Sequence, residues 1–152
     1  MPEARPATVQ HASLRWAHAV LGVLRCSHDP NTIVAWGRVI GASESAIRQW
    51  CRSAGVRPKA ALDFARVLRA VVLSQGRAWD LYNLLDVVDE RTMRNLFLRA
   101  GMPELLGASE PPDTARYLAK QRFVRNAVAL QAVTSLLDAD ATPEGEGPAP
   151  ED

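Results

Sequence analysis

What this sequence lacks narrows the possibilities quickly. It has only two cysteines, Cys26 and Cys51. That is too few for a disulfide framework, and each sits in an apolar helical pattern where a free thiol behaves as a small hydrophobe. No apolar run approaches 18 residues, and the N-terminus has no basic stretch followed by an apolar one. A reducing cytoplasm is therefore the expected compartment, with no membrane partner. There is no phosphate-cradling glycine loop, no His-Glu-x-x-His and no Gly-x-Ser-x-Gly. An enzyme is not expected, and no catalytic residue or cofactor is assigned. Cys26-Ser27-His28 with His18 offers donor atoms, but the CxxC and HxxxH spacings of zinc sites are missing, so no metal is expected. Strand-like alternation bounded by turns is missing as well.

What is present is a mostly apolar, mostly helical pattern. With 152 residues and 47% hydrophobic content, the chain can bury one core of useful size. The net charge of +1 hides a division. Residues 1–107 hold 14 Arg plus Lys against 9 Asp plus Glu, whereas residues 108–152 hold 4 against 8. A basic body with an acidic tail suits a polyanion-binding domain. The ends, rich in Pro, Ala, Gly and acid, predict a flexible arm over 1–12 and a disordered acidic tail over 139–152.

Between them the periodicity predicts an all-α fold. A first helix is expected over about Ser13 to Cys26, with Leu14, Ala17, Val20, Leu21 and Leu24 on one face. Asp29-Pro30-Asn31-Thr32 supplies a turn and cap for a second helix, ending near Ile40-Gly41. Ser43 is a good N-cap for a third, which Gly55 ends and Pro58 keeps from resuming. A long helix follows from Pro58 to about Gln75, and Gly76 breaks it. A last helix is expected from Asp113 to about Leu137, entered through Pro111-Pro112.

The pattern then repeats. A shift of 46 residues lays 33–56 over 79–102, and Glu44, Arg48, Ala54 and Gly55 fall on the identical Glu90, Arg94, Ala100 and Gly101. Trp36 falls on Tyr82, Ile47 on Met93, Trp50 on Leu96, and the cap Ser43 on Asp89. Matched caps, apolar positions and Ala-Gly stops point to a duplicated helix-turn-helix unit. In the first copy Ile47, Trp50, Cys51 and Ala54 form a core stripe. The other side presents Ser45, Arg48, Gln49 and Arg52. Arginine grips guanine with two bonds and glutamine does the same for adenine, so this face suits base edges in a DNA major groove. The second copy presents Arg91, Arg94 and Asn95, with Arg99 at its edge.

The stretch TIVAWGRVIGASESAIRQWCRSAGVRPKAALDFARVLRAV resembles the DNA-binding domain of AraC/XylS-family transcription regulators. The matching elements are the Gly41-Ala42-Ser43 turn, the Ala-Gly followed shortly by Pro58, and the Arg-rich run Asp63-Phe64-Ala65-Arg66-Val67-Leu68-Arg69. The order of elements also matches over about residues 13–106: a short first helix, then two helix-turn-helix units with one long helix between them. The resemblance implies a bacterial regulator whose two recognition helices, here 43–54 and 89–100, enter successive segments of the major groove. No sensor domain is visible. The second copy has Val87-Val88 where the first has Gly41-Ala42, with Asp86, Asp89 and Glu90 close by, and is expected to read DNA more weakly. Phosphate contacts are expected from Arg38, Ser43, Arg57, Lys59, Arg66 and Arg69, by their position beside the first unit.

The expected function is thus a sequence-specific DNA-binding regulator, with double-stranded DNA as partner and RNA polymerase or another protein as a further one. The rival is a helical protein-interaction module that kept the regulator architecture. It would bind its partner through helix 113–137, within a C-terminal helical extension over 107–138, or through the acidic tail. The apolar stripe of 113–137 also suggests a homodimer.

Overall fold

In a computed structural model of the chain, residues 6–141 other than Val88 are described, residues 6–10, 140 and 141 by backbone alone. Every regular element among them is helical, as the periodicity predicts. The helices are α1 (Pro6–Leu24), α2 (Ile33–Ile40), α3 (Glu44–Ser53), α4 (Pro58–Leu73), α5 (Leu81–Leu84), α6 (Glu90–Arg99), α7 (Thr114–Lys120) and α8 (Ala127–Ala141). A short 3₁₀ turn, Pro103–Gly107, follows α6.

The sequence signals act where they were expected in the first half. Thr32 caps α2 by accepting the N–H of Ala35 at 3.0 Å, and Ser43 caps α3 by accepting that of Ala46 at 3.1 Å. Pro58 occupies the first turn of α4, where a missing N–H costs nothing. The expected arm is shorter than 1–12, because Pro6 opens α1 in the same way and residues 6–12 are helical. Residues 1–5 and 142–152, and with them part of the expected arm and most of the expected tail, lie outside the described residues.

α1 and α4 form the spine. α1 packs on α2, α3, α4 and α8, and Trp16, Ala17, Val20 and Val23 have no exposed surface. Every residue of α4 from Ala61 to Val71 is buried. A ladder of rings crosses the core: Phe64 stacks on Trp16 at 6.2 Å and on Tyr117 at 5.6 Å between centroids, and packs at a tilt on Phe123 at 5.9 Å. Two buried polar tips are satisfied by backbone, Trp36 Nε1–H on the Ala19 carbonyl at 2.8 Å and the Tyr117 hydroxyl on that of Phe64 at 3.0 Å.

The C-terminal helix departs from expectation. The predicted 113–137 helix is two helices, broken at residues 121–126. At the break the Gln121 side-chain oxygen accepts the N–H groups of Phe123 and Val124 at 2.9 and 2.7 Å, which satisfies them outside a helix. The chain is also pinned from outside, by Arg122 N–H on the Gly101 carbonyl at 3.3 Å and by the Asn126 amide on that of Ala54 at 2.9 Å. The Asn126 side-chain oxygen then accepts from Val128 and Ala129 and starts α8. Ala129 and Val133 of α8 are fully buried, and α1 is its main partner. Much of the apolar stripe that suggested a second copy is therefore used within the chain, where Leu118, Val124, Ala129 and Val133 join the core.

Candidate nucleic-acid interface

α3 has two chemically distinct sides. Ile47, Cys51 and Ala54 have no exposure, and Trp50 is half-buried. Cys51 faces Trp16, whose indole N–H has no nitrogen or oxygen acceptor and lies toward the sulfur. Burial pushes the Cys51 thiol up to about 12, so it is a packed hydrophobe with no nucleophilic character at neutral pH. On the opposite side Ser45, Arg48, Gln49 and Arg52 are all exposed. With Ser43 and Glu44 they border one shallow surface depression. Gln49 and Arg52 make no side-chain hydrogen bond or ion pair with any described residue.

Arg48 does have a partner. Its Nε and Nη2 both donate to Glu44 Oε1, at 3.1 and 2.8 Å, with both side chains about half exposed (48% and 45%). The same pair recurs as Arg94 and Glu90 at 3.5 Å. The spacing of four residues, acid first, made this legible in the sequence. The identical residues of the echo thus include one helix-stabilising ion pair per copy. Exposed pairs of this kind are worth about 0–1 kcal/mol, so an incoming base or phosphate can compete for either arginine.

The turn before α3 is tight. Gly41 closes α2 with φ +70°, a left-handed conformation that a side chain would resist, and Ala42 N–H donates to the Gly37 carbonyl at 2.9 Å. Val87 stands at the matching place in the second copy and no described residue other than glycine has positive φ. The consequence is a correction to the echo: α5 has four residues where α2 has eight. Leu85 leaves the helix in an extended conformation, and Tyr82, laid over the fully buried Trp36, is 57% exposed. α3 and α6, by contrast, match residue for residue in length.

On α6, Arg91, Arg94 and Asn95 are exposed, as expected, and Met93, Leu96 and Phe97 are buried. Leu98, missed in the sequence reading, is 54% exposed at the position matching Arg52. Arg99 turns away from this face to pair with Asp63 on α4. Asp89 caps α6 through the N–H and hydroxyl of Thr92 at 2.7 and 2.9 Å. Those bonds, the backbone one first, hold its carboxyl below the usual range. With Asp86 and Glu90 also exposed, the foot of α6 is acidic where that of α3 has only Glu44.

The phosphate candidates divide. Ser43, Arg38, Arg57 and Lys59 are exposed beside α3, although Lys59 lies 3.6 Å from Asp63. Arg66 and Arg69 are not available: they are 4% and 5% exposed. Arg66 grips both oxygens of Asp29 at 2.6–3.0 Å, and Arg69 donates to the carbonyls of Cys26 and Leu84 at 2.9–3.2 Å. The stretch of α4 that carries them, Ala61 to Val71, is buried throughout, so these arginines end in carboxylates and carbonyls instead of solvent.

Among the described residues no helix is long and apolar enough to cross a membrane, and no three His, Cys, Asp or Glu side chains are grouped as ligands of one ion would be. No protein-family model matches the chain, and no curated protein or solved structure is significantly similar to it.

Proposed function

We propose that this chain is a sequence-specific DNA-binding transcription regulator of the helix-turn-helix kind, with α3 as its principal reading element. One observation carries the proposal: a ten-residue helix, buried along one side, leaves Ser45, Arg48, Gln49 and Arg52 unpacked on the other. That side combines guanine-directed arginines with an adenine-directed carboxamide. Arg38, in the last turn of α2 just before α3, and Arg57, just after α3, are exposed, and phosphates flank a groove-bound helix. The order of helices from α1 to α6 suits an AraC/XylS-type module, with α6 as a second, weaker reader because of its acidic foot and Leu98. A regulator of this kind works in the cytoplasm and needs no cofactor or catalytic group.

Selection from random duplexes at low salt tests the reading. The expected result is an enriched motif whose base preference is relaxed by Arg48→Ala or Gln49→Ala, at a cost of about 1–3 kcal/mol for the selected base. Absence of any enrichment, or equal binding to all duplexes by wild type and variants, refutes it. Arg94→Ala separates the two copies: unchanged affinity for the selected site leaves α6 a structural element.

A protein-interaction module is the rival, and one feature favours it. A groove of about 500 Å³ between α1, α4, α7 and α8 is lined by Leu24, Val72, Leu118 and Leu137. A protein partner seated there would be displaced by Leu137→Glu, at a partly buried position of the groove on α8. A chain that selects no DNA but loses a bound protein on that substitution belongs to the rival class.

A further inference from the structure

The stripe Asp63, Arg66 and Arg69 recurs every third residue along buried α4, and DNA binding leaves it without a role. Its partners come from both helix-turn units. Arg66 holds Asp29, which lies in the loop entering α2. The same Asp29 carboxylate accepts the backbone N–H of Asp86, in the loop entering α6, at 2.7 Å. The Asn31 amide closes the bridge on the Asp86 carboxylate at 2.7 Å. Arg69 repeats the arrangement one turn further on, with Cys26 on one side and Leu84 on the other. At the opposite end of the stripe Asp63 takes Arg99 from the last turn of α6.

Both units pack on α4, and residues 121–126 join the ends of α3 and α6 through Asn126 on Ala54 and Arg122 on Gly101. The Asp29–Asp86 bridge, however, joins the loops entering α2 and α6 directly. No extensive packing joins α2 or α3 to α5 or α6, and a cleft of about 410 Å³ opens between the loops, bordered by His28, Tyr82 and Asn83. Asn31 and Asp86 are exposed, but the Arg66 and Asp29 side chains are only 5% and 3% exposed. Charged hydrogen bonds so shielded are strong and depend sharply on geometry, and a shifted loop would strand one of them.

We propose that Asp29 and Arg66 form a register lock: they hold α6 at one offset from α3, so that the chain accepts only DNA sites whose two parts have one spacing. The inference rests on the DNA-binding reading above and on α6 contributing to it. Asp29 and Arg66 are positioning residues, touching no DNA themselves. The lock also gives a role to an arginine in the buried stretch of α4 from Ala61 to Val71.

The test compares wild type with the double variant Asp29→Asn/Arg66→Met, which removes both charges of the pair together and leaves Asp63, 3.5 Å from Arg66, its partners Arg99 and Lys59. Asp29→Asn by itself, which keeps the side-chain acceptor, is the milder second variant. A cooperative thermal melt establishes folding of each. Both proteins are titrated against the selected site and against versions with one to five base pairs inserted between its halves. Three added base pairs turn one half by roughly a third of a helical repeat. Wild type is expected to lose about 10- to 100-fold in affinity, the loss of one or two base contacts. The unlocked variants are expected to lose less than about threefold of their own affinity, having regained the freedom to follow the groove. A bipartite site whose spacing the variants respect as strictly as wild type overturns the lock and leaves DNA binding standing. A selected site with only one half also overturns it, since α6 then reads nothing. Failure to select any site removes the DNA reading itself, a distinct result.

Discussion

Two glycines 46 residues apart give an internally controlled test of how the echo is embedded. Gly55 and Gly101 follow the matched helices α3 and α6 with nearly the same left-handed φ, +76° and +82°. Alanine at either position meets the same backbone penalty, about 1–2 kcal/mol, and the same small gain from a stiffer unfolded chain. Their surroundings differ. A β-carbon at Gly55 has no neighbour within 4 Å. At Gly101 it would stand 2.7 Å from Arg122 N, 2.8 Å from Phe123 N and 3.2 Å from Phe123 Cβ. Relief must displace the backbone joining α7 to α8 and break the Arg122 bond to the Gly101 carbonyl. Overpacking of this kind costs about 1–3 kcal/mol and the bond about 1 kcal/mol more. Gly55→Ala should therefore destabilise by about 1 kcal/mol and Gly101→Ala by about 3–5 kcal/mol. Urea denaturation followed by circular dichroism reads both, and with a slope of about 2 kcal/mol/M the two midpoints should differ by at least about 1 M. Because the strain and unfolded-state contributions cancel in the comparison, equal midpoint shifts would refute the packing of residues 121–123 onto the end of α6.

Three further outcomes follow from named residues. Arg57→Ala should lower the salt slope of DNA binding by about 1 with little change in stability, whereas Arg66→Ala should leave the slope alone and cost about 3–5 kcal/mol by orphaning buried Asp29; a slope change for Arg66→Ala would return it to the phosphate contacts. Cys51 and Tyr117 both hold their protons more tightly folded than unfolded, so stability is full below their unfolded values and falls as pH rises. For Cys51 the window runs from 9.0 to about 12, and between pH 9 and 10 the wild type should lose about 1 kcal/mol more than Cys51→Ala; parallel profiles in urea titrations at the two pH values would remove that burial argument. A chain ending at Arg125 uncovers the α1 face on which Ala129 and Val133 lie, so it should lose on the order of 5 kcal/mol and bind a hydrophobic dye; a truncated chain that melts like wild type with half the mass would revive the homodimer.

What was legible in the sequence follows from how local each signal is. Thr32, Ser43 and Asp89 cap within three residues of themselves, and Pro58 acts on its own turn, so the starts of α2, α3, α4 and α6 could be read directly. The break at 121–126 depends on the carbonyls of Gly101 and Ala54, 21 and 72 residues away from their partners. Only Asn126, a cap-forming residue ahead of Ala-Val-Ala-Leu, announced it locally. Arg66 and Arg69 failed for the same reason. Arginine on a helix is usually solvated, and nothing near them in sequence reveals Asp29 or the Leu84 carbonyl. The shortening of α5 was half legible: Val87 ruled out the glycine turn, but not how much of the helix would go with it.

The echo itself needs a different weighting once side chains are in place. Its four identities were Glu44/Glu90, Arg48/Arg94, Ala54/Ala100 and Gly55/Gly101. Two form the ion pair along each helix, one is fully buried in each copy, and one closes each helix. All four have structural explanations, so shared residues alone argue for a shared fold and say little about a shared ligand. Discrimination between the copies lies in what differs on the exposed face: Gln49 against Asn95, Arg52 against Leu98, and one acidic residue at the foot of α3 against three at that of α6. Each difference lowers the positive charge or reach of the second face. A protein that needed two equivalent readers would gain nothing from them, whereas one strong reader with a locked, weaker companion would gain a fixed spacing at small cost in non-specific attraction.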